Sequence, residues 1–313
     1  MKLFVGIDVS SEKLDVCFLT DDDQLSILTE NSVANDIEGA SLTRELILEF
    51  NENYHFDQIV IGMESTSMYS FHPSMFFHED TVLKKLNTLA TIENPFRMKQ
   101  FSRMFDEDKT DRNDAFRIAD FLRIQWFTTS PFKEEKYMAL QRLTRTCYQL
   151  IKQLTRTKQH FLENLTYKCN TLAREMRDES TSLFSATVIT LMTEDFTLDE
   201  LAALPLEAFC DLLQEKGKGH FKDPEKIAKS IRRAITMSYR LGSLAQESIN
   251  VVLSVLVREI RALEKSIKDL DKATEQLVVV IPEYQCLTSV PGIGKVYAAG
   301  LIAEIGQIER FKD

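Results

Sequence analysis

The chain begins with the segment KLFVGIDV (residues 2–9), a short apolar run rich in Val, Ile and Phe. Such a run is typical of a buried strand. A second strand is predicted at Leu14–Thr20, where apolar residues alternate, and a third at Leu25–Val33. The polar residues 10–13 between the first two strands favour a hairpin. We therefore expect three hairpin-linked strands at the start of the fold.

Helices and strands alternate after these three strands. Asp36–Asn51 has helical spacing, with Asn35 or Asp36 as the N-cap, and Gln58–Met63 reads as another buried strand. The remaining segments are a helix at Met68–His78, a strand at Leu86–Ile92, and helices at Pro95–Met104 and Thr110–Trp126. This order predicts an α/β domain of the ribonuclease-H-like class over residues 1–130.

Four carboxylates stand where this domain would place chemistry. Asp8 and Glu64 end two buried strands, whereas Asp111 and Asp114 are spaced i, i+3 in the first turn of a helix. Neighbouring strands bring the first two together, and the helix can lay the other two beside them. Acidic residues also favour helix N-termini for structural reasons, which is the alternative explanation for the helical pair.

A divalent cation is the simplest remedy for the repulsion among four clustered carboxylates. Hard oxygen ligands select Mg²⁺ or Mn²⁺. Two such ions about 4 Å apart would clamp the attacking and leaving oxygens of a phosphodiester. The set therefore predicts a catalytic metal site formed by Asp8, Glu64, Asp111 and Asp114.

The strand pattern stops near Pro131, and an all-α region is expected over residues 131–282. One long helix is predicted from Leu143 to Leu165. A second keeps an a/d rhythm of about four heptads, which is a coiled-coil pattern. Its apolar positions are Ile249, Leu253, Leu256, Ile260, Leu263, Ile267, Leu270 and Leu277. These positions favour self-association, with packing against the chain's own helices as the alternative.

Charge is unevenly distributed along this acidic chain, whose formal net charge is -10. Residues 1–64 hold fourteen acidic and three basic residues, whereas residues 142–177 and 216–240 each hold eight basic and two acidic residues. Two basic helical stretches are compatible with a surface that follows nucleic-acid phosphates, or with ordinary solvated helix faces. We predict nucleic-acid contacts at Lys109, Arg142, Arg145, Lys152, Arg156, Gly292, Gly294 and Lys295.

Composition excludes several classes of protein. The longest apolar stretch, Leu277–Ile281, is far below the roughly 18 residues that a membrane span needs, and residues 1–8 lack the pattern of a signal peptide. The five cysteines form no C-x-x-C pair, so neither a disulfide framework nor a zinc ribbon is indicated. A reducing cytoplasm fits this composition.

Four blocks follow one another in the order of a known family: GIDVS (6–10) with KLDV (13–16), ESTSMY (64–69), NP (94–95) and KTDRNDA (109–115). The chain resembles the DEDD-type insertion-sequence transposases, the insertion-sequence one-ten family, which includes the pilin-gene invertases. The resemblance implies an N-terminal domain similar to the RuvC Holliday-junction resolvase. It also implies that Asp8, Glu64, Asp111 and Asp114 are the D, E, D and D.

The last segment, residues 283–313, resembles the opening of the family's second domain. PGIG at residues 291–294 lies before a helical run, Val296–Ile305, which favours a helix-hairpin-helix or an ordinary turn. The family carries a serine nucleophile in a Ser-Gly context, and no Ser-Gly dipeptide occurs among the 313 residues. The expectation is a second domain that is truncated and lacks its nucleophile.

The resemblance implies a DNA transposase or recombinase that is guided by an RNA and assembles as dimers or tetramers through its coiled coil. A truncated, non-catalytic nucleic-acid-binding remnant or regulator of transposition is the alternative. A third possibility is an actin-like sugar kinase, since Gly6-Ile7-Asp8 also opens that fold. The Gly-rich phosphate loops that such kinases need are not found in the sequence.

Overall fold

The structure is a computed structural model that describes residues 1–22, 26–65, 68–103, 111–125, 127, 134–177, 181–193 and 196–308. The contacts between residues divide the chain into two units. Met1–Lys133 with Ile308–Asp313 forms the first unit, and Glu134–Gln307 forms the second. In the described part of the chain, no helix is both long and apolar enough to cross a membrane.

A five-stranded mixed sheet forms the centre of the first unit. Its strands are β1 (Lys2–Val9), β2 (Lys13–Thr20), β3 (Ile27–Ala34), β4 (Gln58–Glu64) and β5 (Thr88–Glu93). They lie side by side in the order β3-β2-β1-β4-β5. The first three pair antiparallel, and β4 and β5 run parallel to β1. The carboxyl ends of β1, β4 and β5 therefore lie at one edge of the sheet.

Among the described residues of this unit there are five α-helices: α1 (Ile37–Tyr54), α2 (Phe71–Glu79), α3 (Thr81–Lys84), α4 (Pro95–Ser102) and α5 (Asp111–Arg123). Because side chains alternate along a strand, the sheet has two buried faces. One face packs residues such as Val5 and Ile61 against α1 and α2, and the other packs residues such as Phe4 and Val60 against α4 and α5. The second face carries the candidate site.

Glycine on β1 lets α5 lie directly on the sheet. A Cβ atom placed on Gly6 would stand 2.2 Å from the carbonyl oxygen of Ala115 and 2.3 Å from the amide nitrogen of Ala119. Both atoms are backbone, so any side chain at this position would push the helix away. Gly62 on β4 is similarly close to the side chain of Leu122. These two glycines fix the distance between α5 and the strands that it covers.

The predicted elements of the first unit are largely confirmed. The first strand has the predicted bounds, and β2 and β4 each differ by one residue at one end. Helix α1 begins after Asp36, whose side chain accepts a hydrogen bond from the amide of Gly39. The mixed α/β sheet is confirmed, as is the mostly helical region that follows it.

Nine helices are described in the second unit. Two long ones, α6 (Glu135–Lys168) and α12 (Ser243–Val278), are joined through α7 (Leu172–Glu175), α8 (Ala186–Thr193), α9 (Leu198–Ala203), α10 (Leu206–Lys216) and α11 (Pro224–Met237). The last two are α13 (Pro282–Thr288) and α14 (Lys295–Ile305). These last helices pack on Tyr137 and Leu140 of α6 and on Val278 of α12.

Helices α6 and α12 pack against each other along much of their length. Leu253 and Ile260 of α12 share a buried cluster with Phe161 and Leu165 of α6. Polar contacts follow the same line, since the Thr157 hydroxyl donates to a carboxylate oxygen of Glu259 at 3.1 Å. The heptad residues are therefore buried or half-buried within the chain. This agrees with the alternative named above, packing against the chain's own helices. Self-association through this helix stays a proposal.

A buried polar cluster ties the end of α6 to the end of α11. The Thr171 hydroxyl donates to the carbonyl oxygen of Ala234 at 2.8 Å and lies 3.1 Å from the Ser238 hydroxyl. The Ser238 hydroxyl also lies 3.2 Å from the Cys169 sulfur. The Lys168 ammonium donates to the carbonyl oxygen of Met192. Each of these polar groups has a complementary partner, which is what burial requires.

Candidate metal centre and nucleic-acid interface

Asp8 and Glu64 lie on neighbouring strands at the carboxyl edge of the sheet. Ile7 is the register partner of Met63, so the residues that follow them, Asp8 and Glu64, occupy adjacent positions. Ile7 and Met63 face the α1 side, and alternation therefore points Asp8 and Glu64 to the α5 side. Both are partly exposed. The structure thus brings together the two strand carboxylates that the sequence predicted.

Asp114 lies in the first turn of α5, one residue before Ala115, whose carbonyl faces Gly6. The close packing of α5 on β1 therefore brings this end of the helix to the strand that carries Asp8. A guanidinium nitrogen of Arg117 lies 3.3 Å from a carboxylate oxygen of Asp114. Arg117 is 7% exposed, so its charge is held inside the unit. The sequence analysis did not single out this arginine.

Two of the predicted site residues lie wholly or partly outside the described part of the chain. Lys109 lies outside the described residues, and so does the side chain of Asp111, although Asp111 is the first residue of α5. Among the side chains that the structure does describe, no three His, Cys, Asp or Glu residues converge closely enough to hold a metal ion. The carboxylates fit Mg²⁺ or Mn²⁺ by their chemistry, because both ions prefer oxygen ligands.

Two further carboxylates extend the same row, and the sequence analysis missed both. Asp15 on β2 is the register partner of Asp8, and Glu93 on β5 is the register partner of Glu64. The Asp15 carboxylate lies 2.9 Å from the Lys13 ammonium. Glu93 is 1% exposed and accepts a hydrogen bond from the Thr91 hydroxyl at 2.9 Å. Glu93 could have been found from the sequence, because it is an acidic residue at the end of a strand, as Asp8 and Glu64 are.

Cysteine chemistry is not favoured in this part of the molecule. Cys17 lies on β2 within the core, and burial raises the pKa of its thiol to about 12. A thiol with such a pKa remains protonated at neutral pH, and the thiolate is the nucleophilic form. Cys17 is therefore not a candidate nucleophile.

The predicted basic residues of α6 form one exposed stripe. Arg142, Arg145, Lys152 and Arg156 are all exposed, and their spacing of three, seven and four places them on the same side of the helix. The Arg145 guanidinium makes two 2.8 Å hydrogen bonds to the carboxylate of Glu304. Arg145 therefore has part of its charge satisfied internally.

Two cavities of the second unit adjoin this stripe. One of about 430 Å³ is lined by Lys152, Arg156 and His160 of α6 and by Glu259 of α12. A larger cavity of about 880 Å³ is lined mainly by apolar groups and brings Arg145, Lys152 and Lys295 to one concave surface. The Lys152 ammonium lies 4.4 Å from the ring centroid of Tyr148. The structure thus places three of the predicted basic residues together.

The glycine-containing turn before α14 is exposed. Gly292 has a φ of 93°, which a residue with a side chain rarely adopts, and Gly294 is the N-cap of α14. Lys295 is the first residue of this helix and is exposed. The turn thus offers backbone amides and a cation at one helix N-terminus, an arrangement that can bind an anion.

Two family models match this chain, one near its start and one at residues 284–313. Residues 5–169 match a family model for the DEDD insertion-sequence type that is described as "Transposase". Residues 284–313 match a second model, described as "Transposase IS116/IS110/IS902 family". A solved structure of T. thermophilus RuvC in complex with a Holliday junction substrate aligns at 12% identity and a TM-score of 0.29, covering 40% of this chain and 96% of that chain. None of the curated proteins is significantly similar.

Proposed function

The chain belongs to the IS110 family of DEDD transposases, whose model matches residues 5–169, and we propose that it uses a magnesium-dependent carboxylate site to act on DNA. The observation that carries the proposal is the adjacency of Asp8 and Glu64 on the face of the sheet that α5 covers. Asp114 at the start of α5 and the preceding Asp111 would complete the set of ligands.

The carboxylates would hold Mg²⁺ or Mn²⁺, which polarises a phosphodiester and activates an attacking oxygen when it is bound. The strands position Asp8 and Glu64, since both lie at the end of rigid, buried elements. The helix positions Asp114, and Arg117 orients its carboxylate through the 3.3 Å contact. Removal of all four carboxylates should therefore abolish metal binding while the sheet still folds.

Nucleic acid is the proposed partner of the second unit. The exposed stripe that contains Lys152 and Arg156 carries positive charge along about four turns of α6. Cations in such a line can follow a phosphate backbone. The turn at Gly292 and Gly294, with Lys295, offers a second phosphate contact. We assign these surfaces to DNA or to a guide RNA, and an assembly of two or four copies to the coiled-coil helix α12.

The proposed division of labour follows the chain. Residues 1–130 supply the RuvC-like carboxylate site, residues 131–282 the helical nucleic-acid surface, and residues 283–313 the start of the second transposase domain, with its helix-hairpin-helix. The serine nucleophile of the family is not among residues 1–313, which contain no Ser-Gly dipeptide. Full strand exchange is therefore not proposed for these residues by themselves.

A second candidate function is regulation of transposition by a non-catalytic nucleic-acid-binding chain. The exposed basic stripe of α6 favours it, because this surface would bind nucleic acid whether or not the chain completes recombination. Mixing this chain with an intact relative distinguishes the two functions. A regulator inhibits recombination by the relative in proportion to the amount added, whereas a catalytic chain supports it.

The proposed partner is tested by purifying the chain from its own cells and sequencing the nucleic acid that accompanies it. A single structured RNA supports a guided recombinase, and DNA binding without RNA supports direct recognition. A chain that binds neither would refute the nucleic-acid proposal. The basic stripe is tested by a variant with Lys152→Gln and Arg156→Gln, for which we expect at least a tenfold loss of nucleic-acid affinity at low salt.

The proposed metal site is tested with a combined Asp8→Asn, Glu64→Gln and Asp111→Asn variant. The affinity for Mn²⁺ should be lost, and nucleic-acid binding should lose its dependence on divalent cations. Unchanged metal affinity in this variant would exclude the carboxylates as ligands.

A further inference from the structure

The two cavities of the second unit share part of their lining. The cavity of about 430 Å³ and the cavity of about 880 Å³ both include Gln149 and Lys152 of α6. These two residues are exposed and lie one helical turn apart. The cavities are therefore neighbours along α6, and we call the two together the α6 groove.

The larger cavity of the α6 groove is lined by exposed aromatic and aliphatic side chains. Tyr148 of α6 is 60% exposed and Tyr297 of α14 is 63% exposed, and both line it. Ile151 and Val296 add further exposed apolar surface. Its volume lies within the roughly 300–1,000 Å³ that ligand pockets occupy. Exposed rings beside such a cavity can stack on a flat aromatic ligand.

The smaller cavity has a polar lining that carries positive charge. Lys152, Arg156 and His160 follow one another at intervals of four residues, so they lie on one side of α6, and all three are exposed. The acidic residue of this lining, Glu259 of α12, accepts a hydrogen bond from the Thr157 hydroxyl at 3.1 Å. Its carboxylate is thus engaged within the protein, and the cavity offers the cations of α6 to an anion.

Two acidic side chains of the larger cavity are also engaged within the protein. Glu304 accepts two 2.8 Å hydrogen bonds from the Arg145 guanidinium, and a carboxylate oxygen of Asp271 lies 3.7 Å from the Cys147 sulfur. Glu275 is the other acidic residue of this lining. Pairing of Glu304 with a cation reduces the repulsion that a phosphate group would meet at this surface.

Lys152 joins the apolar and the charged parts of the α6 groove. It lines both cavities, and its ammonium lies 4.4 Å from the ring centroid of Tyr148. A lysine in this position can contact a phosphate while the neighbouring ring contacts a base. A nucleotide combines the same two groups, a flat base and a charged phosphate.

We propose that the α6 groove binds a single-stranded segment of nucleic acid, with bases stacked on Tyr148 and Tyr297 and phosphates beside Lys152 and Arg156. This inference rests on the function proposed above and adds the form of nucleic acid that the second unit holds. Proteins that bind single strands combine a positively charged groove with aromatic side chains on which bases stack. Only unpaired bases can be splayed onto such rings, because the bases of a duplex stack on each other.

The experiment measures, by fluorescence anisotropy, the affinity of the full chain for single strands of about 15 nucleotides. The probes are strands of thymidine and of uridine, a strand of abasic sites with the same phosphates, and a duplex of equal length. We expect the better of the two single strands to bind at least about fivefold more tightly than the abasic strand, as stacking of one base provides. Tighter binding of either single strand supports the inference and identifies DNA or RNA as the ligand.

The variants are Tyr148→Ala and Tyr297→Ala, each with a Phe variant that keeps the ring, and Tyr167→Ala as the matched control. Tyr167 is 67% exposed on the same helix and belongs to the lining of neither cavity. Each Ala variant of the groove should lose about fivefold or more of its single-strand affinity and retain its affinity for the abasic strand and the duplex. The Phe variants and Tyr167→Ala should stay within about twofold of wild type.

Three outcomes would overturn the inference. Equal affinity of wild type for the single strands and the abasic strand would mean that phosphates alone account for binding, which leaves the proposed function intact. A change in sedimentation coefficient in Tyr148→Ala, with single-strand affinity unchanged, would assign the groove to a second copy of the chain. A wild-type chain that binds none of the probes refutes the proposed nucleic-acid partner, and the inference falls with it.

Discussion

The two units bury polar side chains in opposite ways. In the first unit, carboxylates of like charge lie side by side at the sheet edge, as Glu64 and Glu93 do on neighbouring strands. In the second unit, the buried cluster at the end of α6 joins donors to acceptors, as the Thr171 hydroxyl does with the carbonyl oxygen of Ala234. The neighbouring carboxylates repel each other, whereas the hydrogen-bonded cluster holds α6 and α11 together.

This difference separates function from architecture. Neighbouring carboxylates repel each other, and a bound cation would relieve that repulsion, as proposed for Asp8 and Glu64. Hydrogen-bonded pairs between helices stabilise the fold and need no ligand. Changes to the first group should therefore lower metal affinity without loss of stability, whereas changes to the second should lower stability without effect on metal affinity.

The largest effect is expected from Gly6→Ala, which tests whether α5 must lie on β1 for the carboxylates to meet. The added Cβ would stand 2.2 Å from the Ala115 carbonyl oxygen, and backbone cannot rotate away as a side chain can. We expect a loss of about 3 kcal/mol in the free energy of unfolding, together with weakened Mn²⁺ binding. Urea unfolding and Mn²⁺ titration measure both quantities.

Gly300→Ala in α14 is the matched control, since apart from its chain neighbours and its own helix backbone nothing lies within 4 Å of the added Cβ. This change should stabilise the helix by roughly 0.5–1 kcal/mol. Equal losses in the two variants would show that the contact between β1 and α5 is unimportant.

The next effect is the pH dependence that Lys168 gives to the second unit. Burial lowers the pKa of its ammonium from 10.5 to about 8. Between these values the unfolded chain holds a proton that the folded chain has released, so the free energy of unfolding rises with pH from about 8 to about 10.5. The rise is at most about 3 kcal/mol.

The difference in unfolding free energy between wild type and Lys168→Met, followed from pH 7 to pH 10.5, isolates this contribution. Burial raises the pKa of the neighbouring Cys169 thiol, and the thiol is present in both proteins. If the difference in unfolding free energy does not change with pH over this range, the pKa of Lys168 is the same in the folded and unfolded chain, which would contradict the prediction.

Thr171→Val should cost about 1–3 kcal/mol, because it removes a hydroxyl that bonds to both Ala234 and Ser238 and leaves buried partners unsatisfied. Hydrogen exchange should increase in α7 and α11 and not in the sheet. Thr166→Val on the exposed side of α6 is the control, since its hydroxyl bonds only within its own helix. An equal loss in the control would remove the distinction between the buried cluster and an ordinary helical threonine.

The smallest effect, of opposite sign, is expected from Glu64→Gln in the absence of metal. Neutralising one of two adjacent carboxylates relieves repulsion, so the free energy of unfolding should stay the same or rise by no more than about 1 kcal/mol. Urea unfolding in a chelating buffer measures this change. A loss above 1 kcal/mol would place Glu64 among the groups that hold the fold together.

Much of the sheet could be predicted from the sequence, because apolar runs and alternation determine strands directly. Asp8 and Glu64 followed from the same signal, since each ends an apolar run. Glu93 lies one residue beyond the predicted end of its strand at Ile92. Its position beside Glu64 depends on strand register, which pairs residues 29 positions apart in sequence.

The helical unit shows a different limit of sequence reasoning. Heptad spacing on α12 indicated that one face is buried, but the pattern is the same whether the covering helix belongs to the same chain or to another copy. The structure shows α6 covering much of that face. Arg145 was predicted as a nucleic-acid contact from its charge. Its hydrogen-bond partner, Glu304, is 159 residues away in sequence, so no local sequence pattern indicates that the two pair.

The central claim, that the carboxylate row is a metal site, is tested most directly by the unfolding of wild type and Asp8→Asn with and without Mn²⁺. At a Mn²⁺ concentration of 100 times the dissociation constant, binding should stabilise the wild-type first unit by about 2.7 kcal/mol and leave Asp8→Asn unchanged. Hydrogen exchange at β1 and β4 assigns the gain to the sheet. Absence of stabilisation in wild type, or an equal gain in Asp8→Asn, would contradict the account.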